Sequence, residues 1–497
     1  MDTISGHQVS RATKLIYGAG ALTDSIKTFS FTTFLLFYYS TVLGLPGTLL
    51  GLAMSLGLVW DAAVDPMIGH MSDQSAVKFG RRHSFMLVGA VCAGASFIAV
   101  FNPPAGLSTG ALFAWLMASS LCLRSGTSLF MVPYYALGAE LTTNYHERTS
   151  ISAYRAGAVL AGTLLAMAAA FLVFLPNDPA AGTDAKFARG SYESIGVAFG
   201  LAMVVIGLGA TLGTLGQRAR LVTASAGRAS SQPLSRTLLD VLRNRPFRVL
   251  LSSSSISTMA AAINGALGMH FLTYHARIGA NEAMTLFFAG FYAGALAGVF
   301  VWIRVARVLE KQYVYAATTL AAAVVVSAGY WIVGEGRPFG TGHLPVLVVL
   351  SSLTGFLGIA PAVIGPSMMA DITAHDALRT GSRRDGAFFG VYSFGQQLAT
   401  GLAILFAGAL VDRFAGLVPA QPQQSTATIE RLVMISNLLP ALMLAGAGVI
   451  ALRYRLTRLE VQTVGSELLC LDSAREISEE REISEEMKGG SCSPSPL

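Results

Sequence analysis

Two aspartates four residues apart, Asp61 and Asp65, lie in an apolar run whose preceding residues 49–59 carry no charge. In a membrane helix each ionised carboxylate costs about 2.5–3.5 kcal/mol on insertion scales, so the pair needs a proton, a cation or a basic partner. At this spacing both side chains leave one helix face, about 6 Å apart along the axis. Two carboxylates that close in a low dielectric do not both ionise cheaply. The chemistry suits a proton site, or a site that becomes fully ionised when a metal cation arrives. Three cations, Lys27, Arg124 and Arg155, also fall inside apolar runs of the same half of the chain. They offer the plainer alternative of a structural ion pair, and the two uses can coexist.

Other polar groups in apolar surroundings are sparser. Asn264, His270, Tyr274 and His275 share one run. His270 could relay a proton, because imidazole titrates near neutral pH in water, although a lone helical histidine also serves as a satisfied packing residue. No nucleophile–base set or metal-ligand cluster is evident, and Cys92, Cys122, Cys470 and Cys492 lack metal or disulfide spacing. The chain is not expected to be an enzyme or to hold a cofactor.

The elements that must position these groups are membrane helices. Only 12% of the 497 residues are charged, against about 25% in a soluble domain, and mean hydropathy is +0.57. At about 20 apolar residues per crossing, twelve helices are expected at 15–39, 48–69, 84–102, 109–135, 150–175, 193–215, 248–275, 282–303, 312–333, 344–370, 386–411 and 432–454. The fold class is all-α: two six-helix bundles, 1–216 and 248–459, joined by a basic central loop at 217–247. Residues 460–497, with a tandem Arg-Glu-Ile-Ser-Glu-Glu at Arg475 and Arg481, read as a disordered acidic tail. With the N-terminus inside, the N-terminal segment and the loops on that side hold 22 Lys/Arg and the opposite loops six. That asymmetry places both termini in the cytoplasm. The net charge of +6 follows this topology and does not point to nucleic acid. Of the aromatics on the first helix, Phe29, Phe31, Phe34, Phe37, Tyr38 and Tyr39, some are expected to line a cavity and the outer ones to form an interfacial belt.

Two six-helix halves with buried charge indicate a secondary transporter, in which repeated bundles rock around a midplane site. No G-x-x-x-x-G-K-[ST] loop is present, which argues against ATP-driven transport by this chain alone. The stretch Gly69-His-Met-Ser-Asp73, with Gly80-Arg81-Arg82 after a six-residue spacer, resembles the loop between helices 2 and 3 of the major facilitator superfamily. The resemblance implies that Asp73, Arg81 and Arg82 latch one conformation; a plain positive-inside turn is the alternative.

Three segments more closely resemble the glycoside–pentoside–hexuronide:cation symporters, the melibiose-permease group. They are Lys14-Leu-Ile-Tyr17-Gly18-Ala-Gly20-Ala-Leu-Thr-Asp24, then Trp60-Asp61-Ala-Ala-Val-Asp65-Pro66, and the stretch from Ala370-Asp371 through Asp376 to Gly390. The resemblance implies that Asp61 and Asp65 bind the coupling cation, and that Asp24 and Arg155 hold sugar hydroxyls. It also implies an aromatic for stacking at Tyr134 or Tyr135. Val64 and Met131 stand where the family's sodium users carry oxygen ligands, and Gln397 replaces a usual lysine, so a proton is expected as coupling ion in preference to sodium. Gln396 and Gln397 could hydrogen-bond a neutral substrate.

The expected function is cation-coupled symport of a sugar, glycoside or related small polar solute by alternating access. The protein would sit in the bacterial inner membrane or an equivalent plasma membrane, with the bilayer and a small-molecule substrate as partners and no obligate protein partner. Alternatives are a lipid or amphiphile as cargo, an uncoupled exporter, or a transport-inactive sensor or scaffold signalling through its tail.

Overall fold

The computed structural model describes residues 9–74, 82–142, 145–175, 185–216, 240–278, 282–380, 384–418, 421, 423–457 and 460. Regular structure among them is helical throughout. Residues 217–239 of the expected central loop and 461–497 of the expected tail lie outside the described residues.

Twelve helical runs follow one another: α1 (11–42), α2 (Gly47–Gln74), α3 (His83–Phe101), α4 (Thr109–Glu140), α5 (145–174), α6 (Arg189–Leu215), α7 (245–275), α8 (Glu282–Val308), α9 (Lys311–Ile332), α10 (344–380), α11 (385–415) and α12 (426–451). Side chains start several of them. The Ser10, Ser108, Asn244 and Ser425 oxygens accept from the backbone N–H groups of Thr13, Ala111, Phe247 and Thr428. The ends of α2, α4 and α10 run past the expected limits because hydropathy marks only the part inside hydrocarbon. Among the described residues, nine helices are long and apolar enough to cross a membrane. The runs α1, α4 and α7 fall outside that set, and they carry Asp24 and Lys27, Arg124, and the Ser252-to-Ser255 stretch respectively. A helix facing a polar pathway cannot be apolar all round.

The two halves meet at one end. The α2 and α11 backbones touch there: a Cβ on Gly408 would stand 2.0 Å from the Gly47 carbonyl oxygen, and one on Gly51 would stand 2.8 Å from that of Ile404. The Asp412 carboxylate accepts from the N–H groups of Gly47 (2.8 Å) and Thr48 (2.7 Å) and from the Thr48 hydroxyl (2.6 Å). Lys186 donates to the Ile278 carbonyl (2.9 Å), and His270 lies 3.4 Å from both the Ser40 and Thr41 hydroxyls. The opposite end holds ion pairs within each half. Arg82 binds Glu140 (2.9 Å), Lys311 binds Asp371 (2.5 Å) and Arg384 binds Asp376 (2.9 Å). Among the described residues the ties between the halves gather at the first end; this second, open end carries the basic loops and lies on the side expected to be cytoplasmic.

The aromatic residues of α1 correct one expectation. Phe34, Phe37, Tyr38 and Tyr39 are fully buried, with no ring at a membrane interface. Phe34 packs edge-on against Phe171, Tyr38 stacks on Tyr192, and Phe37 meets Tyr274 across the halves. The closed end is thus an aromatic core, and the Tyr38 and Tyr39 hydroxyls satisfy carbonyls of α3. Wide-turn π segments also gather here: Phe31–Leu35, Tyr38–Val42, Ala170–Phe174, Phe271–His275, Val411–Ala415 and Met434–Leu438.

At the open end Glu147 anchors the start of the chain. Its carboxylate accepts from the Val9 N–H (2.5 Å) and the Thr142 hydroxyl (2.9 Å), and it pairs with Lys14 at 3.2 Å. Burial pushes this carboxyl up, but the bonds from Thr142, Val9 and Lys14 outweigh it and hold the group below its ordinary 4.5. A depressed folded value means the anchor is present above pH 4.5 and is lost as pH falls through the lower value. Glu147→Gln should therefore speed amide exchange over residues 9–14 by about tenfold at neutral pH, the loss expected for hydrogen bonds to a charged group. The wild type should show the same acceleration only on acidification.

Candidate transport site

The charged groups of the first half converge on the faces of α1, α2, α4 and α5. Lys27 pairs with Asp24 at 2.7 Å, one turn apart on α1. Arg124 of α4 pairs with Asp61 of α2, where its Nη1–H donates to Oδ2. The two side chains are 13% and 20% exposed, so the pair is largely withdrawn from water. The charge of Lys27 also acts on Asp61. Asp65, one turn beyond, is half-buried and has no ion pair among the described residues. Trp60 is held beside the pair by its indole N–H, which donates to Ser125 at 2.9 Å.

The two adjacent tyrosines of α4 divide their roles. Tyr134 is 0% exposed, stacks on Tyr17 at 4.5 Å, and exchanges hydroxyl-to-carbonyl bonds with it. Tyr135 is 47% exposed, and the Arg155 guanidinium stands over its ring at 4.9 Å. The charges of Asp24 and Asp65 reach the Tyr135 hydroxyl as well. An aromatic face beside a guanidinium and two carboxylates can bind a polyol, because each charged group takes more than one hydroxyl and the ring accepts an apolar sugar face. Met131 is buried and takes a weak bond from the Thr23 hydroxyl to its sulfur at 3.9 Å.

In the second half, Gln396 is committed to α7: its amide donates to Ser254 at 2.9 Å and its oxygen accepts from Thr258. Gln397 is half-buried and has no hydrogen-bond partner among the described residues. Asn264 donates to the Ser436 carbonyl of α12 (2.8 Å), and His270 sits in the closed end against Ser40, Thr41 and the Phe37 ring. The structure therefore gathers Asp24, Asp61, Asp65, Arg124, Tyr135 and Arg155, and leaves His270 and Asn264 in other contacts. Of the expected latch residues, Arg82 binds Ser72 and Glu140, partners within its own half. The side chain of Asp73 and the whole of Arg81 lie outside the described residues.

Two participants escape the sequence reading. Glu140 and Glu147 look like ordinary loop-end acids. The ion pairs Arg82–Glu140 and Lys311–Asp371 stand at similar places, tying the residue that caps the start of α3 to the end of α4 and the first turn of α9 to α10. Only that repeat relation could have suggested them from sequence.

A family model described as MFS/sugar transport protein matches residues 16–458. Among similar proteins is the "Uncharacterized symporter sll1374" of Synechocystis sp., 24% identical, with 92% of this chain and 96% of that protein covered. The "Inner membrane symporter YicJ" of Escherichia coli is 21% identical over 92% of this chain and 94% of its own length. The inward-facing, occupied crystal structure of a bacterial homologue of the human lysosomal transporter Spinster shares the fold. Its TM-score is 0.63 at 13% identity, with 90% of this chain and 97% of that one covered. The helix order, the charged cluster of the first half and a match running through nearly all of the described helices lead to one assignment: this multi-pass membrane protein belongs to the MFS/sugar transport protein family, as a secondary transporter of the melibiose-permease-like symporter group.

Proposed function

We propose that the chain is a proton-coupled symporter that moves a sugar, glycoside or related small polar solute by alternating access, with both termini in the cytoplasm of a bacterial inner membrane or equivalent plasma membrane. The observation that carries this reading is Asp65, a carboxylate inside a membrane helix without an ion pair among the described residues, one turn from an Asp61 that already has one. A proton needs only that one carboxylate, whereas a sodium shell needs several oxygens. Val64 and Met131 offer none from their side chains.

In the working cycle a proton neutralises Asp65 and the solute enters from one side. The solute takes hydrogen bonds from Arg155 and gives them to Asp24, stacks on Tyr135 and meets Gln397 from α11. Ligand and proton together offset the cost of closing the pathway over unpaired polar groups. With the proton alone, Arg155 would be enclosed without its polar ligand, so the half-loaded carrier resists switching. That resistance is what couples the two fluxes.

Uptake into proteoliposomes with imposed proton or sodium gradients tests the reading. Vesicles with an alkaline lumen in acid medium are expected to accumulate labelled glycosides, with no added effect of a sodium gradient. Stimulation by sodium and not by protons would overturn the ion assignment. Arg155→Ala should raise the half-saturating substrate concentration by at least tenfold, the scale of one lost charged hydrogen-bond set, about 1.5–3 kcal/mol.

A further inference from the structure

Three carboxylates and three cations occupy this one region: Asp24, Asp61 and Asp65 against Lys27, Arg124 and Arg155. Two ion pairs, Asp24–Lys27 and Asp61–Arg124, settle four of the six charges. The two without an ion-pair partner among the described residues, Asp65 and Arg155, both act on the exposed Tyr135.

The Arg124 side chain reaches Asp61 only because α2 has no side chain at position 57. A Cβ on Gly57 would stand 2.3 Å from the Arg124 Nε and 2.8 Å from its Cδ. The guanidinium thus lies across the backbone of α2 one turn before Asp61. On the carboxylate itself only Oδ2 is engaged, and the buried Oδ1 has no hydrogen-bond partner.

We infer that Arg124 is a tethered counter-cation, which takes the place beside Asp61 that a mobile coupling cation would fill and so leaves Asp65 as the exchangeable carboxylate. The inference rests on the symport reading for its functional meaning and on the Gly57–Arg124–Asp61 geometry for its structure. With a positive charge fixed to the protein, the carboxylate pair is half neutralised in every state. A free metal cation arriving at Asp61 would have to displace a guanidinium that cannot diffuse away. Selection against sodium then comes from an occupant as well as from missing ligands.

The consequence is a gain of cation binding when the tether is removed. Arg124→Gln takes away the charge and offers an amide oxygen in its place. In purified protein, thermal unfolding at about 1 and about 100 mM NaCl, with ionic strength balanced by choline chloride, should show no sodium-specific shift for the wild type. The R124Q protein should rise by about 2–4 °C, a stabilisation of the folded state by ligand binding. Adding Asp61→Asn to R124Q should abolish that rise. Should R124Q give no folded protein, Gly57→Ala carries the same test, since it displaces the guanidinium while keeping every charge, and it should also acquire a sodium-specific shift. A folded R124Q or G57A without one, or a wild type that responds as strongly, overturns the inference. Transport failure is read separately: wild-type vesicles that never accumulate solute would sink the symport reading, whereas the sodium shift needs no substrate.

Discussion

Asp65→Asn will abolish uphill transport while leaving downhill exchange. For one proton per solute, each unit of imposed pH difference can sustain about a tenfold accumulation, because about 1.4 kcal/mol is a factor of ten. In the variant the ratio should collapse to about one. Counterflow, with unlabelled solute inside and labelled solute outside, should persist, since an amide at position 65 resembles the protonated acid in shape and charge. Asp61→Asn is expected to behave differently: it strands the Arg124 guanidinium without its carboxylate, so protein yield and stability should fall together with transport. Equal, intact accumulation by the Asp65→Asn protein would mean that this carboxylate is structural and that coupling lies elsewhere.

Gly408→Ala will prevent the closed end from sealing. The added Cβ would stand 2.0 Å from a backbone oxygen of α2, and no side chain can move aside to admit it. The helices must separate, and the Asp412 bonds to Gly47 and Thr48 weaken with them. Overpacking of this kind costs about 1–3 kcal/mol, which shifts a two-state equilibrium about 5- to 150-fold. Spin labels at positions 190 and 336, at the closed end of the two halves, should report a longer distance in the variant, and turnover should fall by a similar factor. An unchanged distance distribution together with normal turnover would show that the glycine contact is incidental to the cycle.

The helices were legible in the sequence because the hydrocarbon sets their length, and the predicted spans agree with α1–α12 to within a few residues at most ends. The Asp61/Asp65 pair was legible for the same reason: charge inside hydrocarbon is conspicuous. Partner choice was not. Arg124 is 63 residues from Asp61, and nothing in the local pattern selects it over Lys27 or Arg155. The selecting feature is the clearance at Gly57, which reads as one glycine among 52. The aromatic run of α1 misled in the opposite sense. Its composition is that of an interfacial belt, but the partners that bury it come from α3, α5, α6 and α7, and no periodicity within α1 announces them.

The gathering of wide turns at the closed end has a consequence for how this protein can change over generations. Each such turn houses one residue more than a regular helical turn needs. One residue is a rotation of about 100° and a rise of about 1.5 Å. Losing or gaining a residue there can convert a wide turn to a regular one or back, and leave the rest of the helix in register. The same event beside Asp61 would swing the carboxylates off their face. Insertions and deletions are thus expected to be tolerated at the closed end and costly at the centre, so the closed end can be remodelled in length while the charges beyond it keep their positions.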